Sequence, residues 1–322
     1  MSDIQLFRIS NETAKELPSQ AAKLEKDLQR LMEANMQTLL GVRFLATEYT
    51  TGKTHRGRVD SLGLDENGCP VIVEYKRHSN ENVINQGLYY LDWLLDHQAE
   101  FRWLVMDKLG KEEADKIEWA GTRLLCIAAD FTRYDQHAVQ QIPRNVELIR
   151  YKLFGDDLLL LELVNAQSTP ESATNKSAPA VATTPVAPVF AMEVGAIPDI
   201  TKSPGKDKTV EEQLALASQE IRDLHANVAS FLLSMGDDVQ EKQLKLYTAF
   251  RRLKNFACAI PYPNKILMTL KLDPVSVALE EGFSRDISQI GHWGTGDVEV
   301  TLRNQADFDR AKALLERSYT EA

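Results

Sequence analysis

The chain has 322 residues, 43% hydrophobic and 26% charged, a composition ordinary for a globular protein and a length that favours two cores over one. No stretch approaches the roughly 18 apolar residues of a membrane span, and the N-terminus MSDIQLFRIS lacks the basic and apolar regions of a signal peptide. The net charge of −10 does not advertise a nucleic-acid binder, although a local basic groove can carry phosphate contacts on an acidic protein.

Residues 1–165 read as a first domain. A helix is predicted near 19–40, with Leu24, Leu28, Leu31 and Leu39 on one stripe. Extended segments follow at 42–50 and 57–64, then the turn DENGCP, whose Asn67-Gly68 is a strong hairpin signal. VIVEYKR, residues 71–77, begins as a strand buried on both faces and ends in Glu74 and Lys76. The next helix is predicted over 80–97, with Ile84, Leu88, Leu91 and Leu95 inward and Gln86 and Tyr90 one polar row above them. Strands are predicted at 101–106, 122–128, 146–151 and 158–163. The pattern is α/β (α+β), a mixed sheet flanked by helices.

Residues 166–208 hold six of the twelve prolines, much Ala, Ser and Thr, and no periodicity; they read as a flexible linker on which two domains act separately. Residues 209–322 read as a smaller α+β domain. Thr209 and Glu212 form a capping box for a helix reaching Ser234, with Leu214, Ile221, Leu224, Val228 and Phe231 inward. Strands are predicted at 245–250, 254–259, 265–272 and 297–302, and a last helix over 305–319 is capped by Asn304. Cys69, Cys126 and Cys258 are odd in number and far apart. They support neither a disulfide framework nor a zinc site, which leaves a reducing cytoplasm as the expected location.

A five-residue loop over 65–69 sets Leu64 opposite Pro70, Leu62 opposite Ile72 and Asp60 opposite Glu74. Two carboxylates then stand with Cβ atoms about 5 Å apart. Opposed and half buried, they resist ionising unless a positive group lies between them. A divalent cation meets that need, and Mg²⁺ favours one or two carboxylates plus water and substrate phosphate. Lys76 points to the same side, where its ammonium can steady charge on phosphorus. The competing reading is a surface ion pair between Glu74 and Lys76.

The combination GRVDSLGLDENGCPVIVEYKR followed by QGLYY resembles the PD-(D/E)XK nuclease superfamily, in particular its NucS-like or RecB-type branch. The resemblance implies a restriction-endonuclease-like fold and Mg²⁺- or Mn²⁺-dependent hydrolysis of phosphodiester bonds in DNA, in repair or in defence against foreign DNA. It implies Asp60, Glu74 and the Tyr75 carbonyl as metal ligands and Lys76 as the catalytic lysine. Gln86 and Tyr90 would orient the scissile phosphate or the lysine. A further glutamate on the first helix is assigned to Glu25 in preference to Glu33. Val59 stands where the family pattern has proline. The rival reading is a non-catalytic module on the same fold that binds nucleic acid or protein.

Lys53, Arg56, Arg58 and Arg77 form either a phosphate track or one side of a mixed-charge surface. Arg58 alone reads equally as a phosphate contact or an ion pair. Trp93 is a base-stacking or a core residue, and His78 and His97 lack metal-ligand spacing. The C-terminal segment resembles the DUF5655 domain, which brings no chemistry; it is expected to choose the substrate, bind a partner or assist a homodimer. There the three glycines of GHWGTGDVEV, residues 291–300, suggest a tight loop leading into a strand, and His292, Trp293, Tyr247 and Lys265 read as the lining of a ligand or nucleic-acid pocket or as residues with structural roles. Arg251, Arg252 and Lys254 form a small basic run, for DNA or as a solvated strand edge.

Overall fold

A computed structural model describes residues 4–52, 56–77, 82–155, 157–167 and 208–322. It is a mixed α+β structure built on two sheets. The chain opens with an exposed two-stranded ribbon, β1 (Leu6–Ser10) and β2 (Thr13–Leu17). Then come β3 (Ser19–Gln20), helices α1 (Glu25–Ala34) and α2 (Met36–Leu40), and the antiparallel strands β4 (Val42–Thr50), β5 (Arg58–Asp65) and β6 (Pro70–Lys76). Helices α3 (Asn82–Asp96), α4 (Gln98–Leu109) and α5 (Lys111–Asp115) lead to β7 (Arg123–Ala128), α6 (Arg133–Gln140), β8 (Asn145–Phe154) and β9 (Leu158–Gln167).

Strands β6, β7 and β8 are parallel neighbours, and the remaining pairings of this seven-stranded sheet are antiparallel. Each face has its own core, as the near-continuous apolar runs of its central strands require. On one face Leu62, Ile72, Leu124 and Leu148 pack with Ile84, Leu91 and Leu94 of α3 and Phe101 of α4. On the other, Val71, Val73, Leu125 and Ile149 pack with Leu28 and Met32 of α1 and Met36 and Leu40 of α2.

Several predicted elements differ. Residues 101–106 lie inside α4, not in a strand: Phe101 and Val105, one helical turn apart, are its buried residues. The predicted first helix is two, because Asn35 interrupts it, and Ser19 and Gln20 are extended instead. Its inward stripe is Leu28–Met32–Met36–Leu40, while Leu24 and Leu31 are exposed. Residues 168–207, most of the proposed linker, lie outside the described residues.

The second sheet is six-stranded and antiparallel, in the order β10 (Gln240–Gln243), β11 (Thr248–Arg251), β12 (Asn255–Tyr262), β13 (Lys265–Leu270), β15 (Val298–Leu302), β14 (Ser284–Asp286). The helix predicted up to Ser234 is two, α7 (Val210–Leu216) and α8 (Gln219–Leu233), with Ser218 capping the second. The Thr209–Glu212 capping box forms, and Asn304 caps the last helix, α9 (Gln305–Glu321), through the Asp307 N–H. Helices α8 and α9 cover one face of this sheet through Ile221, Val228, Phe308 and Leu315.

The other face meets the first sheet. Ala249, Cys258, Ile260 and Leu267 share an apolar cluster with Tyr247 and with Cys69 from the β5–β6 turn. Polar groups lock the same turn: Asn255 N–H donates to Glu66 at 2.9 Å, Asn255 Nδ2 to Asn67 Oδ1 at 2.6 Å, and the Tyr247 hydroxyl to Asn67 Oδ1 at 3.1 Å. Lys271 pairs with Glu66. Beside them Glu147 of β8 receives both Arg123 and Arg251, at 2.8 and 2.9 Å, all three buried. The two halves are docked, in contrast to the separate action expected of them. Arg251 is an internal counter-ion, and neither a DNA contact nor a solvated edge.

Candidate active site

The β5–β6 hairpin folds through its turn. Asp65 Oδ1 accepts the Asn67 and Cys69 N–H groups, both at 2.9 Å, and Gly68 takes the positive φ of 75° that glycine tolerates best. The ladder then pairs Leu64 with Pro70, Leu62 with Ile72 and Ser61 with Val73, the register set by the predicted loop, and stops there. One residue further, side chains replace the ladder. Asp60 N–H donates to Glu74 Oε1 at 3.2 Å, and Tyr75 N–H donates to Asp60 Oδ2 at 3.0 Å.

Electrostatics at this point are unfavourable to two negative charges. Glu74 is completely buried, and its Oε2 has no hydrogen-bond partner. Burial first, and the Asp60 charge second, push the Glu74 carboxyl from 4.5 up to about 9. Burial also raises Asp60, against the opposing Tyr75 N–H and the Lys76 charge. Lys76 Nζ lies 3.2 Å from Glu25 Oε1, and Arg77 N–H donates to Glu25 Oε2 at 3.3 Å. The start of α1 is thereby tied to the end of β6.

Behind the pair lies a polar support that the sequence reading missed. Gln29 Nε2 sits 2.9 Å from the Asp60 carbonyl and 3.0 Å from Glu33 Oε1. Ser61 Oγ donates to Glu33 at 2.6 Å and lies 3.2 Å from the Tyr75 hydroxyl. Glu25, Gln29 and Glu33 are spaced four apart, so one row of α1 serves both Lys76 and the backbone of Asp60. That spacing was the available signal. Glu33 meets the site from behind, whereas Glu25 meets its lysine.

Tyr90 is nearly buried and accepts the Arg58 N–H at 3.2 Å, with Gln86 Nε2 3.4 Å from its hydroxyl. Its ring lies on Gly57, where a Cβ would stand 2.4 Å from Cε1. Gln86 and Tyr90 therefore fix the backbone two residues before Asp60. The Arg58 side chain pairs with Glu48 at 2.9 Å. Arg77 is exposed, with Nε on the Ala22 carbonyl at 2.9 Å, and Arg56 is exposed. Lys53 and His78 lie outside the described residues. Trp93 is core, against Tyr49 and His97, so it does not offer a face to a base.

In the second half, Tyr247, His292 and Trp293 line a cleft of 430 Å³ between the two sheets. Lys265 is elsewhere, over the Tyr262 ring. Gly294, next to Trp293, has φ 83°, and a Cβ there would meet Cys258 and Thr269 at 2.8 Å, so this glycine serves close packing.

Residues 210–322 match the family described as "Domain of unknown function (DUF5655)". The match accounts for the C-terminal third of the chain. An uncharacterized protein of Haemophilus influenzae is 25% identical over 320 residues, 98% of this chain and 99% of the relative. Among solved structures, the chain is similar to a repair endonuclease from Pyrococcus abyssi, with 18% identity and a TM-score of 0.27 over 40% of this chain and 47% of that one. It is similar to EndoMS in a complex with double-stranded DNA, with 20% identity and a TM-score of 0.24 over 42% of this chain and 47% of that one. The chain spans about half the length of the solved structures it matches. No helix among the described residues is long and apolar enough to cross a membrane.

Proposed function

We propose that residues 1–165 form a restriction-endonuclease-like nuclease of the PD-(D/E)XK type that hydrolyses phosphodiester bonds in DNA, with Mg²⁺ or Mn²⁺ held by Asp60, Glu74 and the Tyr75 carbonyl. One observation carries the reading. Glu74 is buried beside a second carboxylate, with one oxygen unpartnered and its carboxyl raised to about 9. A fold bears such a cost where a ligand repays it, and perturbed carboxylates of this kind cluster at functional sites. An oxygen-only donor set of two carboxylates suits a hard divalent cation. Among the described residues no group of three His, Cys, Asp or Glu side chains could hold a metal, so backbone and solvent oxygens would complete the shell.

A bound cation would polarise the phosphate and lower the pKa of a coordinated water. The chain's own groups supply the rest. Lys76 keeps an ammonium beside the carboxylate pair, where it opposes the negative charge that develops on phosphate oxygens. Glu25 orients that ammonium. Gln29 and Tyr90 hold the backbone on either side of Val59, and with it the point at which Asp60 leaves β5. Arg56, Arg58 and Arg77 would receive flanking phosphates, Arg58 by exchanging Glu48 for DNA.

Residues 166–208 connect this unit to the DUF5655 domain, 209–322, which supports the hairpin from its turn. The three cysteines, all free and buried, suit a reducing cytoplasm. The test is metal-dependent cleavage of single-stranded, duplex and branched DNA by the wild type, Glu74→Ala and Lys76→Ala. Cleavage by the wild type alone supports the reading. Binding without cleavage on every substrate would establish the rival, a non-catalytic binding module.

A further inference from the structure

The loop after β7 leads into an outward-facing aromatic and guanidinium pair, in the first turn of α6, that the proposed reaction does not use. Strand β7 is the parallel neighbour of β6, and Lys76 is paired in register with Ala128, the last residue of β7. The segment after Ala128 therefore emerges at the same end of the sheet as the candidate site. Three fixtures hold it. Asp130 Oδ1 accepts the Phe131 N–H and Arg150 Nε, both at 2.9 Å. Phe131 is buried in the core that also contains Ile84 and Tyr90 of α3. Thr132 and Asp135 form a reciprocal capping box at the start of α6. The shared core puts α6 on the sheet face that α3 covers, the face served by Gln86 and Tyr90.

The first turn of α6 presents Arg133 and Tyr134. Tyr134 is 69% exposed. The Arg133 guanidinium lies 5.0 Å from the Tyr134 ring centroid and donates to its hydroxyl at 3.1 Å. Single exposed aromatics are common. Here, however, each side chain restrains the other on a pinned backbone, which removes much of the ordering cost of a contact. The helix end itself is not the attraction: the Asp135 carboxylate already occupies it.

We propose that Arg133 and Tyr134 form a stacking ledge for an unpaired DNA base flanking the scissile phosphodiester; this rests on the nuclease reading above. A flat ring accepts any base face, and the adjacent guanidinium adds a cation for its phosphate. Within a duplex both faces of a base are covered by its neighbours. The ledge therefore selects DNA with a single-stranded segment or a displaced nucleotide.

The experiment uses the full chain, with fluorescein-labelled DNA in EDTA for binding and the same DNA with Mg²⁺ or Mn²⁺ for cleavage. Tyr134→Ala and Arg133→Ala weaken single-strand binding and raise KM about tenfold, with kcat within about twofold, whereas Tyr134→Phe, which keeps the ring and loses only the hydrogen bond from Arg133, loses much less. Binding of blunt duplex is unchanged in all three. Equal single-strand affinity in Tyr134→Ala and wild type overturns the ledge, and if the wild type cleaves, the nuclease reading survives it. Loss in Tyr134→Phe equal to that in Tyr134→Ala also overturns it, because stacking does not need the hydroxyl. Tyr134-dependent binding in a wild type that cleaves nothing supports the ledge and removes the nuclease. A wild type that neither binds nor cleaves overturns both.

Discussion

Asp60 and Glu74 are joined crosswise: the Asp60 N–H reaches Glu74 Oε1 at 3.2 Å, while Glu74 Oε2 is sealed from solvent with no partner. An acid whose pKa is higher folded than unfolded disfavours folding once the unfolded chain ionises. The metal-free fold is therefore expected to lose stability as pH rises from about 4.5 to about 9, with Glu74 contributing at most ~1.4 kcal/mol per pH unit and levelling off above that range. Asp60, also raised, contributes with the same sign. Urea unfolding in EDTA across this range should show the slope in wild type and a much weaker one in Glu74→Gln. Equal slopes would assign the effect to other groups.

Lys76 shares its ammonium with Glu25 at 3.2 Å. Lys76→Ala should lower single-turnover cleavage at least ~100-fold. Glu25→Gln, which frees the lysine without removing it, should cost about tenfold. Glu25→Gln should move the unfolding free energy by less than about 1 kcal/mol, because Glu25 is partly exposed. Full activity in Glu25→Gln would show that the pair does not position the lysine.

Gly57 lies against the Tyr90 ring, 2.4 Å from where its Cβ would be. Gly57→Ala forces a nearly buried ring to move and should destabilise the fold by about 1–3 kcal/mol. Tyr90→Leu gives the added methyl room, so Gly57→Ala should cost less in that background. Denaturant melts of the four proteins of this cycle measure the coupling, and strict additivity would mean that the contact is not what limits residue 57.

Arg251 crosses between the sheets to Glu147, both buried. Burial alone would raise the Glu147 carboxyl, but Arg123 and Arg251 hold it below the ordinary value. Arg251→Ala removes one of these cations and should cost about 3–5 kcal/mol. Calorimetry should show the wild type melting as one transition and the variant as two, the second sheet having lost its grip on the first. A single unshifted transition in Arg251→Ala would mean that the apolar cluster around Cys69 and Cys258 suffices.

Much of the hairpin was legible because its signals are local. Asn67-Gly68 fixed the loop, and Leu62 against Ile72 fixed the register that the ladder follows to Ser61 and Val73. The pattern ran out at Asp60, where side-chain bonds to the backbone take over; no alternation encodes them. Phe101 to Met106 was misread because FRWLVM is rich in residues that favour strands, and only packing against α3 and the sheet shows it to be helical. The inward stripe of α1 and α2 was misread by counting leucines, which put the exposed Leu24 and Leu31 on it and left out Met36. Arg251 looked like surface because its partner lies 104 residues earlier in sequence, and a long-range ion pair leaves no trace near either residue.

On most proteins an Asn-Gly turn is the natural place to insert an epitope or a tag, since little depends on it. Here that turn is a plug seated in the other half of the molecule, with Glu66, Asn67 and Cys69 each engaged across the seam. A peptide inserted after Gly68 should pry the halves apart even though the strands beside it are intact. Engineers seeking a permissive position would do better with the exposed ribbon at Leu6–Leu17.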